Sequence, residues 1–343
     1  MEITLNTEFS ASMEQEWNDL LDRSNPHVPF LRFEYLQAWW QHRGGGEWPQ
    51  EAQLAILLGH KDGVLAGIAP CFIAEHEGEK RLLLLGCIEI SDYLDLISEE
   101  ADRADFVKSL IEFVESSPPE LGKIGAIDLY NVLEDSPTMR AFEEIDPSKS
   151  RLKIEQLQHS PYIKLAGDWE TYLSQIDKKQ RHEIRRKMRR AAEAEVPAEV
   201  YFSTDADQLE ADMDVFLGLM AQDKDKCTFL TPAMREQMKA IIRAGFGIGC
   251  LQLVFLKIGD EFAAGYLNAD YLNRIWVYNS GLDTRFMSYS PGWVLLGHLL
   301  KWANENGREE FDFMRGNEDY KYKFGAIDRF VMRVRFAINV TTK

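Results

Sequence analysis

The most regular pattern of apolar and polar positions lies in Leu251–Gly325. LQLVFLKI and EFAAGYLNADY alternate around Gly259-Asp260, which predicts a β-hairpin. Arg274–Leu282 reads as a third strand. Pro291–Asn304 reads as a helix, with Ser290 as its cap, Pro291 in its first turn and Gly307 beyond its end. Glu310–Met314 reads as another short strand. The junction between the third strand and the helix carries Arg285, Ser288, Tyr289, Ser290 and Gly292. A helix N-terminus offers unpaired N–H groups and the positive end of a dipole, so this junction suits a phosphate.

The same reading applied upstream predicts a strand at Met1–Glu8 and helices at Ser12–Arg23 and Phe30–Arg43. It predicts strands at Gln53–Leu58, Val64–Ile73 and Arg81–Leu85, and a helix at Ala101–Ser116. A strand at Ile124–Tyr130 and a helix at Ser136–Ile145 complete this half. The aromatic residues of the second helix, among them Trp39 and Trp40, read as core. Gly44-Gly45-Gly46 ends that helix and follows no strand, which argues against a phosphate loop. The order of elements echoes the later stretch, so the chain reads as two copies of one α/β unit. A polar segment with Pro147 and Pro161 separates them, and Lys153–Leu157 within it is a further strand candidate. The expected domains are 1–160 and 161–343. In the second, Trp169–Ala194 carries a basic helix over 177–195, and Asp207–Lys224 and Pro232–Ala244 read as helices around a solvated Asp223–Thr228 loop.

Three motifs give these elements a family likeness: SPGWVLLGHLLKWA, FDFMRGNEDYKYKFGA, and FLRFEYLQAWW with SDYLDL. They resemble the GNAT acyltransferases, and within them the CelD-type proteins associated with cellulose biosynthesis. The Fem-type peptidoglycan aminoacyltransferases, which use aminoacyl-tRNA, share the tandem fold. The resemblance implies two tandem GNAT-like domains, each a mixed, mainly antiparallel sheet flanked by helices. It implies acetyl-CoA or another acyl-CoA as cosubstrate, held by Arg285, Ser288, Ser290 and Gly292. The usual GNAT loop reads Gln/Arg-x-x-Gly-x-Gly/Ala. Here the aligned positions are Met287, Ser290 and Gly292, and Gly292 alone fits.

Composition narrows the picture. The chain has 343 residues and a formal net charge of −17, which argues against broad affinity for nucleic acid or anionic membrane. One segment runs against this trend: Lys178–Arg190 holds eight cations and a single acid, Glu183. It reads either as an anion-binding helix or as a solvated helix packing Ile184 and Met188 inward. No run reaches the roughly 18–20 apolar residues of a membrane span. MEITLNTEFS lacks the features of a signal peptide, so a cytoplasmic protein is expected, and the family resemblance implies a bacterial one. Cys71, Cys87, Cys227 and Cys250 are widely spaced and the histidines form no HxH or HExxH, so no metal is expected.

For chemistry, Asp312 opposes Phe311 and Phe313 on its strand and is the candidate base or the orienter of one, and it reads equally as a structural Asp bonded to backbone. Tyr320 and Tyr289 are candidate proton donors. Arg315 and Lys321 are candidates to hold an anionic acceptor. Asp92 with Tyr93 is a candidate acceptor-side pair, against the reading of a polar loop that closes a strand. The expected reaction is acyl transfer to an amine or a sugar. Aminoacyl transfer from tRNA to a cell-wall precursor and a non-catalytic ligand-binding protein are the alternatives.

Overall fold

The computed structural model describes residues 1–338, and the last five residues of the expected second domain lie outside them. The described chain divides into two compact units.

Unit 1 runs β1 (Glu2–Asn6), α1 (Glu14–Leu21), α2 (Phe33–Gly46), β2 (Gln53–Lys61), β3 (Val64–His76), β4 (Glu79–Leu84), β5 (Ile97–Ser98), α3 (Glu100–Glu115), β6 (Ala126–Leu133), α4 (Pro137–Ile145) and β7 (Leu152–His159). Its sheet is mainly antiparallel, with β4 and β6 parallel. The triplet that was expected to end α2 does so. Arg43, Gly44 and Gly45 take positive φ of 51°, 63° and 69°, which an α-helix cannot continue through. The Ser136 hydroxyl caps α4 by accepting from the Thr138 N–H.

One boundary differs from the expected 161–343 domain. The C-terminal strand Phe330–Ala337 inserts between β6 and β7 of unit 1. Its alternating apolar residues Val331, Val334 and Phe336 are buried in that unit. Arg333 from this strand and Arg81 from β4 both bond the fully buried Asp128, at 2.8–2.9 Å. Glu77 bridges the same two guanidiniums. The strand is therefore tied in by charge as well as by its backbone.

Unit 2 spans His159–Arg329. It runs β8 (Tyr162–Lys164), α5 (Trp169–Gln175), α6 (Lys178–Ala192), β9 (Ala198–Phe202), α7 (Leu209–Met220), α8 (Lys224–Phe229), α9 (Pro232–Gly247), β10 (Leu251–Ile258), β11 (Glu261–Tyr271), β12 (Arg274–Leu282), α10 (Pro291–Glu305), β13 (Glu310–Asp312) and α11 (Asp319–Lys323). The sheet order is β8-β13-β12-β11-β10-β9. The expected basic helix is α6, which carries the whole cationic run, with α5 as a separate short helix before it. Asp177 accepts from the Lys179 and Gln180 N–H groups and starts α6 afresh. The expected Asp223–Thr228 loop is a helical turn, capped by Asp223. On one face of the sheet α10 packs with α5 and α6, burying Val254, Ile275, Leu295 and Leu299. On the other, Gly281 lets β12 touch α7: a Cβ there would lie 2.4 Å from the Met220 backbone nitrogen. Among the described residues no helix is long and apolar enough to cross a membrane.

Arg333→Ala should destabilise unit 1 by about 2 kcal/mol, because Asp128 keeps only one of its two buried partners. Chemical denaturation of the full chain measures it. Hydrogen bonds from Arg333 and then Arg81 hold the Glu77 carboxyl at about 2, below its ordinary 4.5. Its stabilising effect is thus present above pH 4.5 and lost as pH falls towards 2. Glu77→Gln should flatten the acid limb of the stability profile in that window.

Candidate active site

The parallel pairing of β12 with β13 is short. It covers Arg274–Trp276 against Glu310–Asp312 and stops, while β12 runs on to Leu282. Two features open the sheet here. The β11–β12 register shifts between Leu267 and Asn268, making Tyr278 an extra residue that bends β12. After Asp312 the chain turns away through Met314 and Gly316, at φ of 54° and 107°.

That turn explains Asp312 and Lys321. Asp312 is fully buried, ion-paired with Arg329, and accepts from the Met314 N–H at 2.7 Å. It shapes the turn, as the structural reading has it, and the pairing with Arg329 speaks against its being poised as a base. Lys321 Nζ donates to the carbonyls of Arg315 and Gly316, both at 2.9 Å, and of Met314 at 3.3 Å. It also pairs with Glu318 at 2.9 Å. Its ammonium is committed to the turn rather than to an acceptor, which corrects the expectation. Arg315, half-buried, belongs to the same turn through its carbonyl.

Lys226, Tyr266, Tyr320 and Glu318 gather around the open stretch of β12. Lys226, on α8, donates to the Ser280 carbonyl at 2.5 Å. Burial lowers its pKa, while Asp223 and Glu318 pull it back up. Tyr266 stands opposite Ser280 in the strand register and is 5% exposed. Tyr320 meets Phe313 edge-on at 6.0 Å between ring centres. Burial drives both phenols well above their ordinary pKa. Tyr320 also feels Tyr266 and Glu318, and Tyr266 feels Glu318. Neither hydroxyl has a hydrogen-bond partner among the described residues. Tyr320 was expected here. Lys226 and Tyr266 were not, because their placement depends on α8 folding against the sheet edge and on the β11 register.

At its far end β12 enters a tight turn, Thr284–Tyr289, and then α10. Ser290 was expected to cap α10 with its side chain. Instead it adopts the left-handed conformation, φ 55°, and makes no side-chain cap bond. Its Oγ and the Ser288 carbonyl accept from Arg190 of α6, at 3.2 and 2.7 Å. The first helical bond joins the Val294 N–H to the Ser290 carbonyl. Pro291 has no N–H, so Gly292 and Trp293 present the free donors of the first turn. A Cβ at Gly292 would find its nearest neighbour, Leu282, at 3.7 Å, so the approach is open. Arg285 lies beside this turn but is ion-paired with Asp283 and Glu261, which cancels its charge. The Tyr289 hydroxyl donates to the Val196 carbonyl at 3.1 Å, which ties it outside the opening.

Unit 1 repeats the device with a different outcome. Its parallel pair, β4 and β6, also ends early, at Leu83 and Asp128. Beyond that point Asn131 donates to the carbonyls of Ile88 and Ser91, both at 2.8 Å, and accepts from the Leu94 N–H. The segment after β4 is thereby stitched along β6. Asp92 and Tyr93 lie in it, with Asp92 half-buried and Tyr93 wholly buried. Tyr93 is a core residue, not an acceptor contact. Asp95, its neighbour, is held by Arg103, Ser136 and Thr138.

Comparison with known proteins agrees with this geometry. Residues 178–322 match the family model of the acetyltransferase (GNAT) domain. The chain is similar in structure to FemX, with a TM-score of 0.69 and 11% identity over 99% of this chain and 98% of that one. A tandem GNAT protein from the clavulanic acid biosynthesis pathway gives 0.54 at 11% identity, covering 99% of both chains. L-PGS from Bacillus licheniformis gives 0.56 at 11%, over 96% of this chain and 93% of that one. No curated protein matches the sequence. The fold is two tandem GNAT-like domains, each a mixed, mainly antiparallel sheet flanked by helices.

Asp312 and Tyr320 should separate on thermal and chemical unfolding. Asp312→Asn removes one of the two carboxylates of Arg329, which keeps Glu310, and should cost about 2 kcal/mol. Tyr320→Phe removes a hydroxyl with no protein partner and should change stability by less than about 1 kcal/mol. Equal losses would show that both residues are structural.

Proposed function

We propose that unit 2 is an acyltransferase that moves an acetyl or similar acyl group from acyl-CoA to an amine or sugar acceptor. The observation that carries this reading is an open strand edge leading into a helix N-terminus. A strand edge offers amide partners to the pantetheine arm, and the N–H groups of Gly292 and Trp293 suit the diphosphate. The match of residues 178–322 to the GNAT domain supports it, and so does the CelD-type likeness of SPGWVLLGHLLKWA. A cytoplasmic setting accords with such a donor.

Transfer breaks the acyl C–S bond and forms a C–N or C–O bond. The acceptor loses a proton and the departing thiolate gains one. Tyr320 is the proposed proton donor to sulfur, with Tyr266 behind it, since burial keeps both phenols protonated across neutral pH. Glu318, whose charge both phenols and Lys226 feel, is the proposed group to receive or hold the acceptor's proton. Alignment of the two substrates at the edge of β12 supplies the remainder.

A second reading, aminoacyl transfer from charged tRNA, is favoured by one observation. Lys178, Lys179, Arg181, Arg189 and Arg190 of α6 have no carboxylate partner among the described residues. Activity that is sensitive to RNase would support it.

Calorimetry with acetyl-CoA tests the first reading. Wild type should bind with a Kd on the order of micromolar. The double variant Ser290→Asp, Gly292→Asp should not bind, because two carboxylates would meet the diphosphate. Aspartate tolerates the left-handed conformation of Ser290, and space is open at Gly292, so the variant should fold. Tyr320→Phe should keep binding and lose about 100-fold in turnover. Absence of wild-type binding would sink the acyl-CoA reading.

A further inference from the structure

The charge on α6 is more specific than a solvated face requires. Three of its cations have carboxylate partners: Arg185 with Glu170, and Arg186 and Lys187 with Glu183. Arg190 differs. It reaches off its own helix to two neutral acceptors, the Ser288 carbonyl and the Ser290 hydroxyl, through Nη2 alone. Its charge stays uncompensated and its remaining N–H groups stay available.

Packing fixes where these groups stand. Met188 lies against Gly297 so closely that a Cβ there would sit 2.8 Å from its sulfur. The Lys187 ammonium lies 4.0 Å from the centre of the Trp293 ring. The last turn of α6 therefore flanks the first turn of α10. It supplies positive charge where Arg285, neutralised by two acids, does not.

We infer that Arg190 reads the ribose 3′-phosphate of the donor nucleotide. The inference rests on the acyl-CoA reading and deepens it. The Gly292 and Trp293 N–H groups suit the inner diphosphate. A terminal phosphate monoester carries up to two charges outside that turn and calls for a guanidinium at its rim. Arg190 is exposed at that rim and pre-positioned by the loop. On this account α6 takes over part of the work of the residues missing from the loop, where Met287 and Ser290 stand at motif positions.

The test compares acetyl-CoA with its 3′-dephospho analogue by calorimetry. Wild type should prefer acetyl-CoA by roughly tenfold or more, as expected for a charge-assisted bidentate contact. Arg190→Ala should erase that preference by weakening acetyl-CoA alone, and Arg190→Lys should restore part of it. Equal wild-type affinity for the two thioesters would overturn the inference while leaving the acyl-CoA reading intact. So would an equal loss of both in Arg190→Ala, since Arg190 would then only brace the loop. Failure of wild type to bind either would overturn both.

Discussion

A parallel strand pair that is let go after three residues is the constraint on which the rest of unit 2 depends. A parallel pair with nothing to stop it would continue, because each further residue gains ladder bonds. Here two independent devices prevent that. The extra residue Tyr278 bends β12. On the other side, Asp312 and Lys321 fasten a left-handed turn that leads β13 away. Both are charged, both are almost fully buried, and both are satisfied by backbone groups and a counter-ion. Such groups are costly to bury and are tolerated where they fix a conformation that apolar packing would not select. The price of the opening is thus borne by residues that do not line it.

The comparison of the two units sharpens the point. Both end a parallel pair early, so the splay belongs to the fold. What differs is the chain that follows the inner strand. After β12 comes a short turn and a fifteen-residue helix, α10, whose first donors are free. After β4 comes a segment that returns along β6 and is bonded there by Asn131, while the Glu47 carboxylate accepts from the Ile88 N–H and the Trp48 indole N–H donates to the Cys87 carbonyl. An opening filled by its own chain has no edge left to offer a ligand.

Much of this was legible in the sequence, and the limits have physical causes. The hairpin at Gly259-Asp260, the start of α10 at Pro291 and the Thr231 cap of α9 are local signals, and local structure follows them. Phe311 and Asp312 were correctly placed on opposite faces of β13, but a face does not reveal a partner. Arg329, seventeen residues on, makes Asp312 structural. The cluster of charges at Asp223–Lys226 looks solvated because nothing local shows Lys226 meeting the edge of β12. The C-terminal strand did carry a signal, the alternation in FVMRVRFA. Its pairing with a sheet nearly two hundred residues earlier in the chain lies beyond any local window. Ser290 kept its place at the head of α10 but not its job, because the left-handed backbone turns its hydroxyl to Arg190.

The electrostatics of the opening follow from burial more than from any one charge. Burial is the largest influence on Lys226, Tyr266 and Tyr320, and in each case it favours the neutral form. Glu318 then acts in opposite senses. It helps keep the phenols protonated and helps keep the lysine charged. The result is a pair of proton donors and a cation in one recess, beside a half-exposed carboxylate, Glu318, that is also the counter-ion of Lys321. Neither phenol hydroxyl is among the buried unsatisfied atoms, so although their rings are largely covered, the hydroxyls themselves reach solvent. Two such hydroxyls without a protein partner make sense if the partner is a substrate, and the free N–H groups at the head of α10 present the same unfinished bonding at the other end of β12.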